Sequence, residues 1–290
     1  MKKNIAIITD DSFDLTEKEI SKYHIFTVKL PIIFKGRVKY SFNWKSLSKF
    51  YKEISSLKQP PTTSQPSQGD IINIFNKIKS EGYKQAIFLC LSSGISGTYN
   101  SLLNLAKNYQ GLKITVWDTK ITLRVAAQQA LLAAQLSHEG KSINFILKKL
   151  SKLRNSCQVY LVVNNIKYLQ RTGRLSGGFA LVAGLLNIKP ILFFNNKGEI
   201  IAISKQRKIK GVWKWLNKKL ISSLKKSQEP IKIMLADADN RQLTNEWNKK
   251  IKNLHPNIKT ELININPLIG VHTGKKAIGF VIIQDWKNLI

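Results

Sequence analysis

The chain has 290 residues, 43% of them hydrophobic and 22% charged, enough length for two ordinary domains at roughly 100 to 200 residues each and enough apolar content for real cores. This excludes intrinsic disorder; no apolar run reaches the roughly 18 to 20 residues of a membrane span, and Cys90 and Cys157, each alone in an apolar run, exclude a disulfide scaffold or a zinc site. Lys+Arg 47 against Asp+Glu 17 gives a formal net charge of +30, but the basic residues are mostly lysines spread along the chain, so a solvated surface or weak attraction to acidic headgroups or an acidic partner fits better than specific nucleic-acid reading.

Lys2-Lys3 followed by Ile5 to Ile8 imitates a signal peptide, but Asp10, Asp11 and Asp14 end the apolar stretch early, so the chain reads as soluble and cytoplasmic. Residues 4 to 9 predict a buried strand, Asp10 to Asp14 a turn, and Leu15 to Lys22 a helix. His24 to Phe34 reads as a strand, Trp44 to Ile54 as an amphipathic helix, and Lys58 to Ser67 as a Pro, Thr and Ser loop before a helix over 69–80. Gln85 to Leu91 is a buried strand running into Ser92-Ser93-Gly94-Ile95-Ser96-Gly97-Thr98 and a helix to about Asn108. A strand at Ile114 to Trp117 and helices over Thr122 to His138 and Ser142 to Asn155 complete a parallel α/β pattern with helices on both faces.

Past Asn155 the pattern changes, and a domain boundary is expected near 156. Val159 to Val163 reads as a strand, Gly173 to Gly178 as a Gly-rich turn, and Phe179 to Leu186 as an apolar helical segment. Ile188 to Phe194 and Glu199 to Ser204 flank the hairpin signal Asn195-Asn196-Lys197-Gly198. Val212 to Leu224 and Arg241 to Leu254 are expected as helices, and Ile231 to Leu235, Thr260 to Asn264 and Gly279 to Ile283 as strands. The fold class is therefore α/β: an N-terminal parallel-sheet domain over 1–156 and a C-terminal α+β domain over 157–290.

Ser92 to Thr98 is the strongest chemical signal, since four hydroxyls and two glycines between a buried strand and a helix offer N–H and O–H donors where an anion is favoured. The plain alternative is a cap formed by Ser96 with glycines serving the turn. No Gly-Lys-Ser/Thr follows, so it is not a Walker A loop, and Thr98 stands where a nucleophile elbow needs glycine. Thr62 to Ser67 is a second hydroxyl-rich loop, and Gly270-Val271-His272-Thr273-Gly274 reads as a glycine-bounded loop carrying one histidine. The acids at 10, 11 and 14 lack the D-x-D of aspartate-nucleophile phosphatases and read as cap and turn residues; no metal is expected.

In order along the chain, these motifs resemble the DegV family, the fatty-acid-binding proteins that include the lipid-carrying subunit of bacterial fatty acid kinase. The resemblance runs through Ile8 to Leu15, Pro61 to Ser67, Leu91 to Tyr99, Tyr168 to Leu175, Leu185 to Leu192 and Ile269 to Gly274. It departs at Thr119, at Thr172 and at Lys275-Lys276. The resemblance implies a long-chain fatty acid such as palmitate or oleate in a cleft between the two domains, with the carboxylate on Thr63, Ser96 and His272. Thr62, Ser93, Gly94, Gly97, Thr98 and Thr273 would form the supporting loops, Phe179 to Phe194 a wall for the tail, and Arg171 and Arg174 a contact for a partner or membrane. It further implies no cofactor and no chemistry of its own: the carboxylate would be presented to a fatty acid kinase catalytic subunit for acyl-phosphate formation, or the lipid carried for metabolism, with transient contact at the inner face of an anionic membrane. A different class remains open, a lipid esterase using Ser96 with His272 and Asp10.

Overall fold

The computed structural model describes residues 5–44, 46–57, 59–178 and 188–290. The first half holds β1 (Ala6–Asp10), α1 (Glu17–Tyr23), β2 (Ile25–Val28), β3 (Ile32–Phe34), β4 (Arg37–Lys39), α2 (Leu47–Ser55), β5 (Thr62–Thr63), α3 (Gln68–Ser80), β6 (Gln85–Cys90), α4 (Thr98–Asn108), β7 (Lys113–Asp118), α5 (Leu123–His138) and α6 (Ile143–Ser156). The second half holds β8 (Gln158–Val162), α7 (Lys167–Arg171), β9 (Leu175–Gly177), β10 (Lys189–Phe194), β11 (Ile200–Gln206), α8 (Ile209–Lys226), β12 (Ile231–Asp237), α9 (Arg241–Leu254), β13 (Lys259–Asn264), α10 (Pro267–Thr273) and β14 (Ile278–Gln284). The chain divides into two compact units, one formed by the residues up to Ile32, Thr63–Asn155 and Trp286–Ile290, the other by Ile33–Thr62 and Ser156–Asp285.

In the first unit, β2-β1-β6-β7 form a sheet of parallel strands. Alternation along each strand decides its two faces. Ala6, Ile8, Phe26, Val28, Ala86, Phe88 and Cys90 meet Ile71, Phe75 and Ile78 of α3 and Leu102 of α4. On the other face lies α5, which packs against β1 and α1 and against a closing 3-10 turn, Trp286–Leu289. Alanines at 126, 127, 130, 133 and 134 let α5 be buried nearly all round, as a central helix requires.

The second unit is built on a seven-stranded sheet, β13-β12-β14-β8-β10-β11-β9, with antiparallel pairs at its centre and parallel pairs at both ends. Asn195 and Gly198 close the expected hairpin, with Gly198 at φ 77° and its N–H on Asn195 O at 2.8 Å. Val212, Leu216 and Leu220 of α8 and Trp247 and Ile251 of α9 cover one face of this sheet. Residues 33–62 join this unit because α2 packs its Phe50 and Tyr51 against α10. Tyr51 Oη donates to Ile265 O at 2.8 Å, which fixes that packing. The expected turn at Gly173 to Gly178 contains the short strand β9, paired with β11. The apolar segment Phe179 to Leu186 lies outside the described residues. Among the described residues, no helix is long and apolar enough to cross a membrane.

Candidate functional site

Three parallel strands of the first unit end side by side, and their last residues build a loop. β6 runs out at Cys90 between Asp10, the last residue of β1, and Asp118, the last residue of β7. Asp10 is fully buried and accepts from Leu91 N–H at 2.9 Å and Ser12 N–H at 3.0 Å. Asp118 accepts from Ser93 N–H at 3.1 Å, Ser93 Oγ at 2.6 Å and Lys120 N–H at 2.9 Å. The chain beyond β6 is thus held on both flanks by carboxylates, while the loop presents hydroxyls and amides. Thr119 takes a structural part here, its Oγ1 donating to Cys90 O at 2.8 Å and Ile121 O at 3.0 Å.

Within the loop, Ser96 N–H closes a turn on Ser92 O at 3.1 Å, and Ser92 Oγ accepts from Gly94 N–H at 3.2 Å. Ser96 Oγ shares a hydrogen bond with Thr98 Oγ1 at 2.8 Å and accepts from Thr98 N–H at 3.3 Å. Gly97 occupies the N-cap of α4 with no side-chain cap. The first-turn amides of α4 therefore stand beside the Ser96 hydroxyl, where the helix dipole favours negative charge. Hydroxyls and amides so placed can hold an anion without a cation in contact.

The second hydroxyl loop is tied to the first. Thr62 and Thr63 form β5, Ser64 N–H donates to Pro31 O at 3.0 Å, and Ser67 caps α3 by accepting from Asp70 N–H at 3.0 Å. Gln65 reaches the start of α4, where its Oε1 accepts from Ser101 Oγ at 2.6 Å. A Cβ at Gly97 would stand 3.0 Å from Gln65 Nε2, so glycine permits this approach. Thr63, Ser93, Gly94, Ser96, Gly97 and Thr98 are thereby gathered in the first unit.

His272 and Thr273 belong to the second unit, on a helix rather than in the expected loop. The cause is local: Asn266 caps by accepting from Ile269 N–H at 3.1 Å, Pro267 takes the first turn, and Gly274 at φ 71° stops the helix. Gly270 faces α2 and Gly274 faces Tyr168 of α7, both too close for a Cβ. Lys275-Lys276 is accommodated after it, Lys275 pairing with Asp239 at 2.9 Å and Lys276 N–H donating to Ala238 O at 2.7 Å. Arg171 is exposed at the end of α7, its guanidinium 5.3 Å from the Tyr168 ring, and Arg174 donates to Thr172 O.

Burial, with the positive charge of Arg174 second, lowers the His272 pKa from 6.5 to about 3. His272 is therefore a neutral imidazole at physiological pH. A folded pKa below the unfolded value means that its stabilising contribution is present above pH 6.5 and is lost as pH falls toward 3. The stability advantage of the wild type over His272→Gln is expected to shrink by about 2 kcal/mol between pH 7 and pH 5, at 1.36 kcal/mol per pH unit below 6.5. Denaturant melts of both proteins at the two pH values measure this. Asp10 and Asp11 act oppositely: burial raises them to about 6 and about 7, so stability falls as pH rises from the unfolded value near 3.8 through those values. Comparing wild type with the His272 variant cancels their contribution.

Sequence reasoning gave Asp118 no part in the site and read Asp10 as a cap and turn residue or as the acid of an esterase, not as a residue that holds the loop after β6. The available signal was positional, since both acids end strands that flank β6. Among the described residues, no group of three His, Cys, Asp or Glu could hold a metal ion. Both cysteines are free thiols, and burial pushes Cys157 up to about 12.

The profile of the DegV family, described as a family of uncharacterised proteins, matches residues 4–285. A DegV domain-containing protein of Listeria innocua is 31% identical over 279 residues, covering 96% of this chain and 98% of that one. Among solved structures, a fatty acid binding DegV family protein of Streptococcus agalactiae superposes with a TM-score of 0.88 at 26% identity, covering 97% of this chain and 98% of that one. DegV, a fatty acid binding protein from Bacillus subtilis, gives 0.87 at 26% identity, covering 97% and 99%. With a family profile matched almost end to end and a relative of equal extent, the chain belongs to the DegV family.

Proposed function

We propose that this protein binds a long-chain fatty acid such as palmitate or oleate, and that Thr63, Ser96 and His272 hold its carboxylate. The observation that carries this reading is the Ser92–Thr98 loop: hydroxyls and helix amides offered at the C-terminal ends of parallel strands, with the flanking acids already occupied by backbone donors. The fatty acid binding relatives, matched over 97% of this chain, support it. The tail supplies most of the affinity. At about 0.8 kcal/mol per buried CH₂, a 16-carbon chain offers on the order of 10 kcal/mol before the costs of ordering. Native mass spectrometry of the purified protein, followed by solvent extraction, tests the reading. One fatty acid per chain is the expected result; a protein that arrives empty and refuses both palmitate and oleate overturns it.

The carrier reading assigns the chain no catalytic step. Neutral donors fix a carboxylate while leaving an oxygen lone pair able to attack a phosphoryl group in a separate kinase, so the lipid would be presented for acyl-phosphate formation or carried onward. Arg171 and Arg174 are the residues assigned to that partner or to lipid headgroups. An esterase needs a base on its serine. Ser96 Oγ instead engages the Thr98 hydroxyl and amide, and turnover of a chromogenic ester lost in Ser96→Ala is the result that would restore that alternative.

Contact with an anionic membrane has its own support in the second unit. Residues 205–226, including all of α8, carry nine lysines and arginines and no acid. Lys214, Lys218, Lys225 and Lys226 are exposed, with Ile209 and Ile221 among them. Each lysine near an anionic surface contributes about 1 kcal/mol. The protein is expected to cosediment with phosphatidylglycerol vesicles at low salt and not with phosphatidylcholine vesicles. The charge reversals Lys214→Glu and Lys218→Glu together are expected to cost about tenfold or more.

A further inference from the structure

We propose that Arg154 is the counter-charge that lets the Ser92–Thr98 loop accept an anion, a positioning residue that sets the preference for a charged head group; this rests on the fatty-acid reading above. The difficulty it answers is electrostatic. Ser93 is gripped through its N–H and its Oγ by the carboxylate of Asp118, and Ser96 follows three residues later. A negative charge fixed beneath the loop repels a carboxylate arriving above it.

Arg154 is held at the end of β7 by a hydrogen bond and a stacked ring. From the last turn of α6, its Nη1 donates to Asp118 O at 2.7 Å. Its guanidinium lies 4.1 Å from the centre of the Trp117 ring, a stacking that suits a planar cation. Trp117 is pinned in turn, its Nε1 donating to Gln129 Oε1 at 2.8 Å, while Gln129 Nε2 donates to Thr119 O at 3.1 Å. Arg154 and the Asp118 side chain interact electrostatically, as do Arg154 and Tyr99 in the first turn of α4. Among the described residues, Arg154 forms no direct ion pair with any carboxylate, and its buried Nε has no acceptor. The guanidinium keeps its charge at any physiological pH, so its field reaches the loop without being cancelled at contact.

The test separates charge from shape by using a ligand without charge. Delipidated wild type, Arg154→Met, Arg154→Lys and the double variant Arg154→Met with Asp118→Asn are dialysed to equilibrium against palmitate and against 1-hexadecanol. Arg154→Met is expected to lose about tenfold in palmitate affinity and less than about twofold for the alcohol, the size of a charge interaction across a partly screened site. Arg154→Lys is expected to keep part of the palmitate affinity. The double variant is expected to regain it, because the side-chain amide oxygen introduced by Asp118→Asn still accepts from the two N–H groups, whereas the repelling charge is gone. Equal losses for both ligands would assign Arg154 to loop shape alone, and palmitate binding unchanged in Arg154→Met would remove any role; either overturns the proposal while the fatty-acid reading stands. A wild type that binds neither ligand overturns both.

Discussion

Ser96→Ala is expected to weaken palmitate binding by about 10- to 100-fold while the protein stays folded. A hydrogen bond to a charged group contributes about 1.5–3 kcal/mol, and this loop offers the carboxylate few donors. Among the described residues, the hydroxyl's partners are those of Thr98, at 2.8 and 3.3 Å, so no long-range packing there depends on it. The loop's shape comes from Asp10 and Asp118, which grip Leu91 and Ser93 rather than Ser96. Thr63→Ala is expected to cost less, because the first-turn amides of α4 remain. Titration calorimetry on delipidated protein measures both, and the fatty acid copurifying with each variant gives an independent reading. Residual binding in Ser96→Ala is itself expected, since the tail carries most of the free energy. Affinity unchanged in both variants would remove the hydroxyl clamp and leave the lipid held by its tail alone.

The parallel half of the fold was legible because its signals are local. A buried run, a small-residue loop and an amphipathic helix follow one another at Gln85 to Asn108, and the structure places β6 and α4 there within a residue or two. The Asn195 to Gly198 hairpin was legible for the same reason. Two features were not. His272 lies on a helix because the cap is Asn266, four residues before Gly270, and because Gly270 serves contact with α2 rather than chain reversal. Residues 33–62 join the second unit through aromatic packing of Phe50 and Tyr51, which leaves no break in composition to mark the change.

The site divides in the same way. Thr63, Ser96 and His272 came from motif order, whereas the acids that shape the loop, Asp10 and Asp118, are separated by 108 residues and become neighbours of one strand only when β1, β6 and β7 pair. No spacing rule along the chain encodes that meeting. The charge of +30 was visible from the start, and what the structure adds is the exposure of Lys214, Lys218, Lys225 and Lys226 on α8.

Gly270→Ala is expected to destabilise the protein by about 1–3 kcal/mol, the usual cost of overpacking a filled core. In an open helix the same change stabilises by roughly 0.5–1 kcal/mol, so the sign is decided by the neighbours. A Cβ at 270 would stand 2.6 Å from Tyr51 Oη and 2.8 Å from Phe50 Cε1. Both rings are fully buried, and Tyr51 is anchored on Ile265 O, so neither is a flexible end that can swing away. At about 2–4 °C per kcal/mol for chains of roughly this size, the melting temperature is expected to fall by several degrees. Gly69→Ala is the control: it sits in the first turn of α3, and the added Cβ meets only Ser67 Oγ at 3.8 Å, so its melting temperature should hold or rise. Because α10 also carries His272, the Gly270 variant is expected to bind palmitate less tightly than its stability alone implies, whereas Gly69→Ala is expected to bind as the wild type does. A Gly270→Ala protein that melts with the wild type would mean that Phe50 and Tyr51 give way to the added Cβ, and the packing of α2 on α10 would then not be the rigid contact that this prediction rests on.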